Sequence, residues 1–90
     1  NGINDQAIIL GDATVLEGKT FNLILANINR NILLKDMHYY YNCLPDGGKL
    51  FMSGFYEADL PAIKAEAVRL GMKFVKHHSS NDWVAAVFTR

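Results

Sequence analysis

Apolar residues fall in short runs divided by polar ones, and their spacing predicts strands alternating with helices. Gln6 to Leu10 and Phe21 to Ala26 are near-continuous apolar runs too short for helices; the first is closed by Gly11-Asp12 and the second by a cluster of asparagines. From Asn31 onward Leu33, Met37, Tyr40, Tyr41 and Leu44 recur at helical spacing, with Asn29 or Asn31 as N-cap. Pro45-Asp46-Gly47-Gly48 stops that helix. Lys49 to Ser53 reads as a third strand, followed by a turn at Gly54-Phe55-Tyr56. A second helix starts near Asp59 with Pro61 in its first turn, buries Leu60, Ile63, Ala67 and Leu70, and ends at Gly71. Met72 to His77 and Trp83 to Thr89 form a closing hairpin around Ser79-Ser80-Asn81-Asp82. The order β, β, α, β, α, β, β predicts an α/β fold: a mostly parallel sheet with an antiparallel C-terminal hairpin and helices packed on it.

The polar residues that interrupt this pattern carry the functional question. Asparagine is depleted in strands and mediocre in helices, yet Leu23 to Leu34 reads LILANINRNILL, with Asn27, Asn29 and Asn31 between two apolar segments. Turn and cap chemistry explains such residues by itself. A second reading comes from fold logic, because ligands of largely parallel sheets bind outside the carboxyl ends of the strands. Asp12, Asn27 and Ser53-Gly54 sit at three successive strand ends, where they could line one rim.

Composition narrows the field. Ninety residues make a single small domain with a modest core. The 9 basic and 9 acidic side chains cancel, so neither a nucleic-acid footprint nor a disordered acidic or basic tail is implied. One cysteine, Cys43, cannot form an internal disulfide and fits a reducing compartment, which makes the cytoplasm the expected location. No apolar stretch approaches the roughly 20 residues of a spanning helix, so no membrane partner is expected. The chain opens on Asn1 without a methionine or a signal-like segment and reads as a piece of a longer protein.

The run Phe21 to Ile28, then Asn31-Ile32-Leu33, Leu44-Pro45-Asp46-Gly47-Gly48, Ser53-Gly54-Phe55 and Trp83-Val84-Ala85, resembles the class I S-adenosylmethionine-dependent methyltransferases. Within that class it is most similar to the PrmA type, which methylates ribosomal protein eleven of the large subunit. The similarity runs through nearly all of the chain, and Leu25-Ala26-Asn27-Ile28 with Ser53-Gly54 is its most specific part. The resemblance implies a partial Rossmann-like methyltransferase sheet, with residues 1–90 as the C-terminal portion of the catalytic domain. It implies a protein N-methyltransferase acting on amines, a lysine side chain or an N-terminal amine, with S-adenosylmethionine as methyl donor. Asp12, with Ala13 after it, matches the place where this class contacts the adenine ring; Asn27 matches the position where the donor's methyl meets the acceptor amine. The family pattern continues from that asparagine with small or apolar residues, whereas this chain has Asn29-Arg30-Asn31. The family's glycine-rich loop and its ribose-binding acidic residue are not in this chain, so the fragment alone is expected to be inactive. No metal is implied.

The chemistry makes sense of Asn27 independently. A methyl on a sulfonium is already activated, so transfer to an amine needs positioning and desolvation of the partners rather than a nucleophilic side chain. The acceptor must be neutral, and deprotonating a lysine with a pKa of about 10.4 at pH 7 costs roughly 4 to 5 kcal/mol. A carboxamide oxygen can accept a hydrogen bond from the amine and aim its lone pair.

Other residues have plainer expectations. Tyr39, Tyr40 and Tyr41 read as core and helix surface rather than a base-stacking platform. His77 and His78, adjacent on a strand, point to opposite faces and so do not form a metal pair. Cys43 reads as a packed thiol and Trp83 as a core anchor. In the intact class two further strands lie between the Gln6 and Phe21 strands. With only Ala13 to Thr20 to connect them, those two strands are expected either to pair antiparallel or to leave an open edge that joins two copies as a homodimer. The rival functional readings are a small independent α/β module binding a ligand or protein, and an interaction domain working through an exposed strand edge.

Overall fold

The computed structural model describes residues 3–9, as backbone apart from the side chain of Ile8, and residues 18–90 in full. The elements are β1 (Ile3–Ile9), β2 (Thr20–Asn27), α1 (Arg30–Asn42), β3 (Lys49–Tyr56), a single 3-10 turn (Glu57–Asp59), α2 (Leu60–Leu70), β4 (Lys73–Ser80) and β5 (Trp83–Thr89). They build one five-stranded sheet in the order β1-β2-β3-β5-β4. β1, β2 and β3 run parallel, and β5 pairs antiparallel with both β3 and β4. The predicted fold class and element order are therefore present.

Local chemistry explains the helix ends. Asn29 is the N-cap of α1: its backbone is extended and its Oδ1 accepts the Ile32 N–H at 3.1 Å. Asn31, the alternative cap, lies inside the helix and accepts a hydrogen bond from Arg30 instead. Carbonyls at the end of α1 and just after it are met by Arg90, whose Nη1 donates to Tyr41 O and Leu44 O at 2.8 Å each while the guanidinium lies over the Tyr41 ring. That clamp ties the end of the chain to the first helix and supplies acceptors with a cation where the helix dipole is negative. Pro61 opens α2, and Gly71 ends it in the left-handed conformation at φ 112°.

Both helices lie on one face of the sheet. Ile24, Ala26, Leu50, Met52, Val84, Ala86 and Phe88 meet Leu33, Met37, Tyr40, Ile63 and Ala67 in a single core. Burying each of the larger members contributes about 1.5–3 kcal/mol. Tyr40 is central to this core and Tyr39 and Tyr41 flank it, as their spacing predicts. Cys43 is buried as well.

The buried Tyr40 hydroxyl has no hydrogen-bond partner among the described residues. Burial first, and the nearby Asp36 carboxylate second, push its pKa well above the ordinary 10.0. Stability from keeping this phenol neutral is fully present below that ordinary value and is lost as pH rises past it. Tyr40→Phe keeps the ring and removes the orphaned hydroxyl. It is expected to raise stability by about 1 kcal/mol at neutral pH and to flatten the loss above about pH 10, read from urea denaturation at both pH values.

Three local expectations are corrected. β1 and β2 pair parallel, not antiparallel, in the register Ile3↔Thr20 to Ile9↔Ala26. β1 ends at Ile9 and β2 begins at Thr20, a separation at the lower limit of the roughly ten to twelve residues that a crossover needs. β2 is thus hydrogen-bonded along both sides, and the sheet's open edges belong to β1 and β4. Gly54-Phe55-Tyr56 is not a turn. β3 runs through it to Tyr56 with a register shift between Ser53 and Phe55, where Gly54 takes φ 95°. The closing turn is only Asn81-Asp82, both at positive φ, as a two-residue hairpin of this hand requires.

Candidate functional site

Strand register assembles the site. Asn27 pairs with Ser53, Ser53 with Ala85, and Ala85 with His78, so one row of residues crosses four strands at the carboxyl ends of β2 and β3. Residues in one row share a face, and this row lies on the face opposite the helices. The neighbouring row of Ala26, Met52 and Ala86 is buried beneath α1 and α2 and carries His77 at its β4 end. The two histidines therefore do point to opposite faces. Among the described residues, no group of three His, Cys, Asp or Glu side chains could hold a metal ion.

Asn27, Ser53, Gly54, His78, Ser80, Trp83, Val84 and Ala85 enclose an open cleft of about 520 Å³. None of these is an acid, a lysine or an arginine, so a charged amine entering the cleft loses hydration without gaining a counter-ion. Asn27 stands exposed at its rim. Gly54 fixes how closely the adjoining backbone approaches it: a Cβ there would lie 2.8 Å from Asn27 Oδ1 and 3.0 Å from Ile28 O. The bulge in β3 and the absence of a side chain together let the Asn27 carboxamide rest against Gly54.

Trp83 is not the core anchor that its size suggests. It is 50% exposed and stacks on Tyr56, its register partner, with ring centroids 4.7 Å apart. The reason is position: Trp83 follows the tight turn directly, on the face away from the helices and beyond the last row they cover. Trp83 forms an aromatic wall of the cleft, backed by the stacked Tyr56 ring. Sequence reasoning missed this wall because the Tyr56–Trp83 pairing depends on the bulge at Gly54, which no local pattern signals. Asp12 and Ala13, the expected adenine contacts, lie outside the described residues.

A larger apolar groove of about 880 Å³ lies between α2 and β4, around Leu60, Pro61 and Val68. Glu57, Lys64, Arg69 and His77 also line it, but it lies on the helix-bearing side and does not include the row of Asn27 and Ser53 at the parallel strand ends, so the smaller cleft is the better candidate.

The parallel strands, the C-terminal hairpin and a cleft at the strand ends with a carboxamide on its rim define an α/β sheet of the kind that binds ligands at its carboxyl edge. The solved structures agree on the fold. A ribosomal protein L11 methylase from Lactobacillus delbrueckii subsp. bulgaricus superposes with a TM-score of 0.77 at 20% identity, covering 97% of this chain and 58% of that one. A methyltransferase from Pyrococcus furiosus gives a TM-score of 0.59 at 18% identity, over 78% of this chain and 40% of its own. In sequence, residues 1–90 match the family of ribosomal protein L11 methyltransferases (PrmA), and the chain belongs to that family. A ribosomal protein L11 methyltransferase of Bacteroides fragilis is 52% identical over 89 residues, which are 98% of this chain and 32% of the relative. One from Staphylococcus epidermidis is 31% identical over 85 residues, 92% of this chain and 27% of its own length. The chain thus spans about a third of the length of the curated relatives it matches.

Proposed function

We propose that the longer protein is an S-adenosylmethionine-dependent protein N-methyltransferase acting on amines of a large-subunit ribosomal protein. Residues 1–90 are then the C-terminal portion of its catalytic domain and supply the acceptor end of the site. The observation that carries this reading is Asn27 on the rim of an uncharged cleft at the end of β2, held against Gly54 and faced by Trp83. The family membership of the whole chain supports the same activity.

The donor supplies, when bound, a methyl group already activated on a sulfonium. This chain's part is to prepare the amine. The uncharged cleft lowers the pKa of an entering ammonium by desolvation, offsetting part of the roughly 4 to 5 kcal/mol that deprotonation costs at pH 7. Once neutral, the amine donates one N–H to Asn27 Oδ1, which turns its lone pair toward the methyl for an in-line displacement. The Trp83 face borders the space taken by the amine and by the cation it becomes on methylation, an arrangement in which a ring quadrupole attracts positive charge. The residues fit the methyl-bearing end of the donor; Asp12 and Ala13 are assigned to its adenine end by resemblance.

Cytoplasmic location follows from a ribosomal substrate, and no described helix is long and apolar enough to cross a membrane. A homodimer joined edge to edge would have to use β1 or β4, since β2 is covered on both sides. The test is calorimetric titration of S-adenosylhomocysteine into the full-length protein and into residues 1–90, together with mass spectrometry of the ribosomal protein after incubation with the donor. Binding and methylation by the full-length protein, and neither by the 90 residues alone, is the expected result. A full-length protein that binds no S-adenosylhomocysteine sinks the reading.

A further inference from the structure

A second cavity adjoins the cleft. It has a volume of about 310 Å³, shares Gly54 with the cleft, and is otherwise bounded by Phe55 and by polar groups from the start of α1, the end of β3 and the 3-10 turn, among them Arg30, Asn31, Tyr56 and Asp59. The stacked pair stands at the junction: Trp83 lines the cleft, and Tyr56 lines the second cavity. The two spaces therefore adjoin at Gly54, at the carboxyl end of β3.

The second cavity holds both signs of hydrogen-bonding capacity. Arg30 is 44% exposed, its Nε is a loose 3.7 Å from Asp59 Oδ1, and its Nη2 donates to Asn31 Oδ1 at 3.1 Å. A guanidinium has five N–H donors, so most of its capacity is unspent among the described residues. Asp59 accepts the Tyr56 N–H through Oδ2 at 3.2 Å and keeps further lone pairs. The charges of Arg30 and Asp59 balance. A free carboxylate would meet Asp59 and a free cation would meet Arg30, so neither is favoured. A neutral group carrying an acceptor and a donor side by side satisfies both, and the peptide group is such a ligand.

We infer that this cavity is a subsite for the main chain of the substrate polypeptide beside the methylated amine, with Arg30 donating to a peptide carbonyl and Asp59 accepting a peptide N–H. The inference rests on the amine-methyltransferase reading above and adds how the polypeptide is held. It gives Arg30 a positioning role.

The test uses the full-length protein, the methyl donor, and two acceptors: a peptide with one central lysine flanked by alanines, and butylamine, which keeps the amine and its alkyl stem and has no peptide group. Alanine flanks keep the main chain and remove side-chain readout. The wild type is expected to show a KM for the peptide at least about tenfold below that for butylamine, the effect of one charge-assisted hydrogen bond. Arg30→Ala is expected to erase that difference by raising the peptide KM alone, with kcat within about twofold, because uniform binding is what is lost. Arg30→Lys, which lacks the planar fork, should recover only part of it. Unaltered S-adenosylhomocysteine binding and melting temperature would show that the variant is folded. Equal KM values for the two acceptors in the wild type overturn the subsite, as does an Arg30→Ala defect that falls on both acceptors or on kcat. Failure of the wild type to methylate the ribosomal protein would instead remove the underlying activity, an outcome distinct from either.

Discussion

Gly54→Ala is expected to destabilise the full-length protein by about 2–4 kcal/mol and to abolish most of its activity even when folded. Two costs add. At φ 95° a residue with a Cβ is strained by about 1–2 kcal/mol. The new methyl would also stand 3.0 Å from Ile28 O and 3.1 Å from Ile28 N, backbone atoms that cannot swing aside. Its third neighbour, Asn27 Oδ1 at 2.8 Å, can swing aside, and under the proposed function that movement is the activity loss, because it would turn the carboxamide away from the amine. Gly47→Ala is the control: it has φ 84° and nothing within 4 Å of the added Cβ, so it carries the conformational cost alone. Urea denaturation of the two variants separates the terms. A Gly54→Ala protein no less stable than Gly47→Ala would mean that the approach to the β2 end is not tight.

Asn27→Ala is expected to lower kcat for amine methylation by about two to three orders of magnitude, comparable to removing one positioned polar group from other active sites. Binding of S-adenosylhomocysteine should weaken by less than about tenfold, since the proposed role puts Asn27 only at the reacting end of the donor. Stability should change by less than about 0.5 kcal/mol, because the side chain is exposed at the strand terminus. Asn27→Asp sharpens the test. A carboxylate there would pair with the ammonium and hold the acceptor protonated, so activity should stay low at pH 7 and recover in part as pH rises. Single-turnover kinetics with both variants distinguishes this role from that of a strand-terminating turn residue, whose replacement would cost stability and leave the chemical step alone.

Much of the architecture was legible because its signals are local. The helical spacing of Leu33, Met37 and Tyr40, the stop at Pro45-Asp46-Gly47-Gly48, and the Pro61 and Gly71 that bracket α2 each act within a few residues of the structure they set. Asn27 as the end of a strand was legible for the same reason, and the motif around it pointed to the family to which the chain belongs. The parallel pairing of β1 with β2 was not. It depends on where two apolar runs stop, and a shift of a few residues decides whether the link is long enough to cross over.

The sequence by itself determined which segments are strands and helices, where each begins and ends to within a few residues, and which asparagine closes the second strand. Those are matters of hydrophobic period, caps and backbone-permissive residues, all encoded at short range. Tertiary structure alone decided that Asn27, Ser53, Ala85 and His78 form one row, that a bulge at Gly54 lets Tyr56 and Trp83 stack, and that Arg30 reaches Asp59. Each of those joins residues far apart in the chain, and it is the register of hydrogen-bonded strands, fixed by burial of the opposite face, that brings them together.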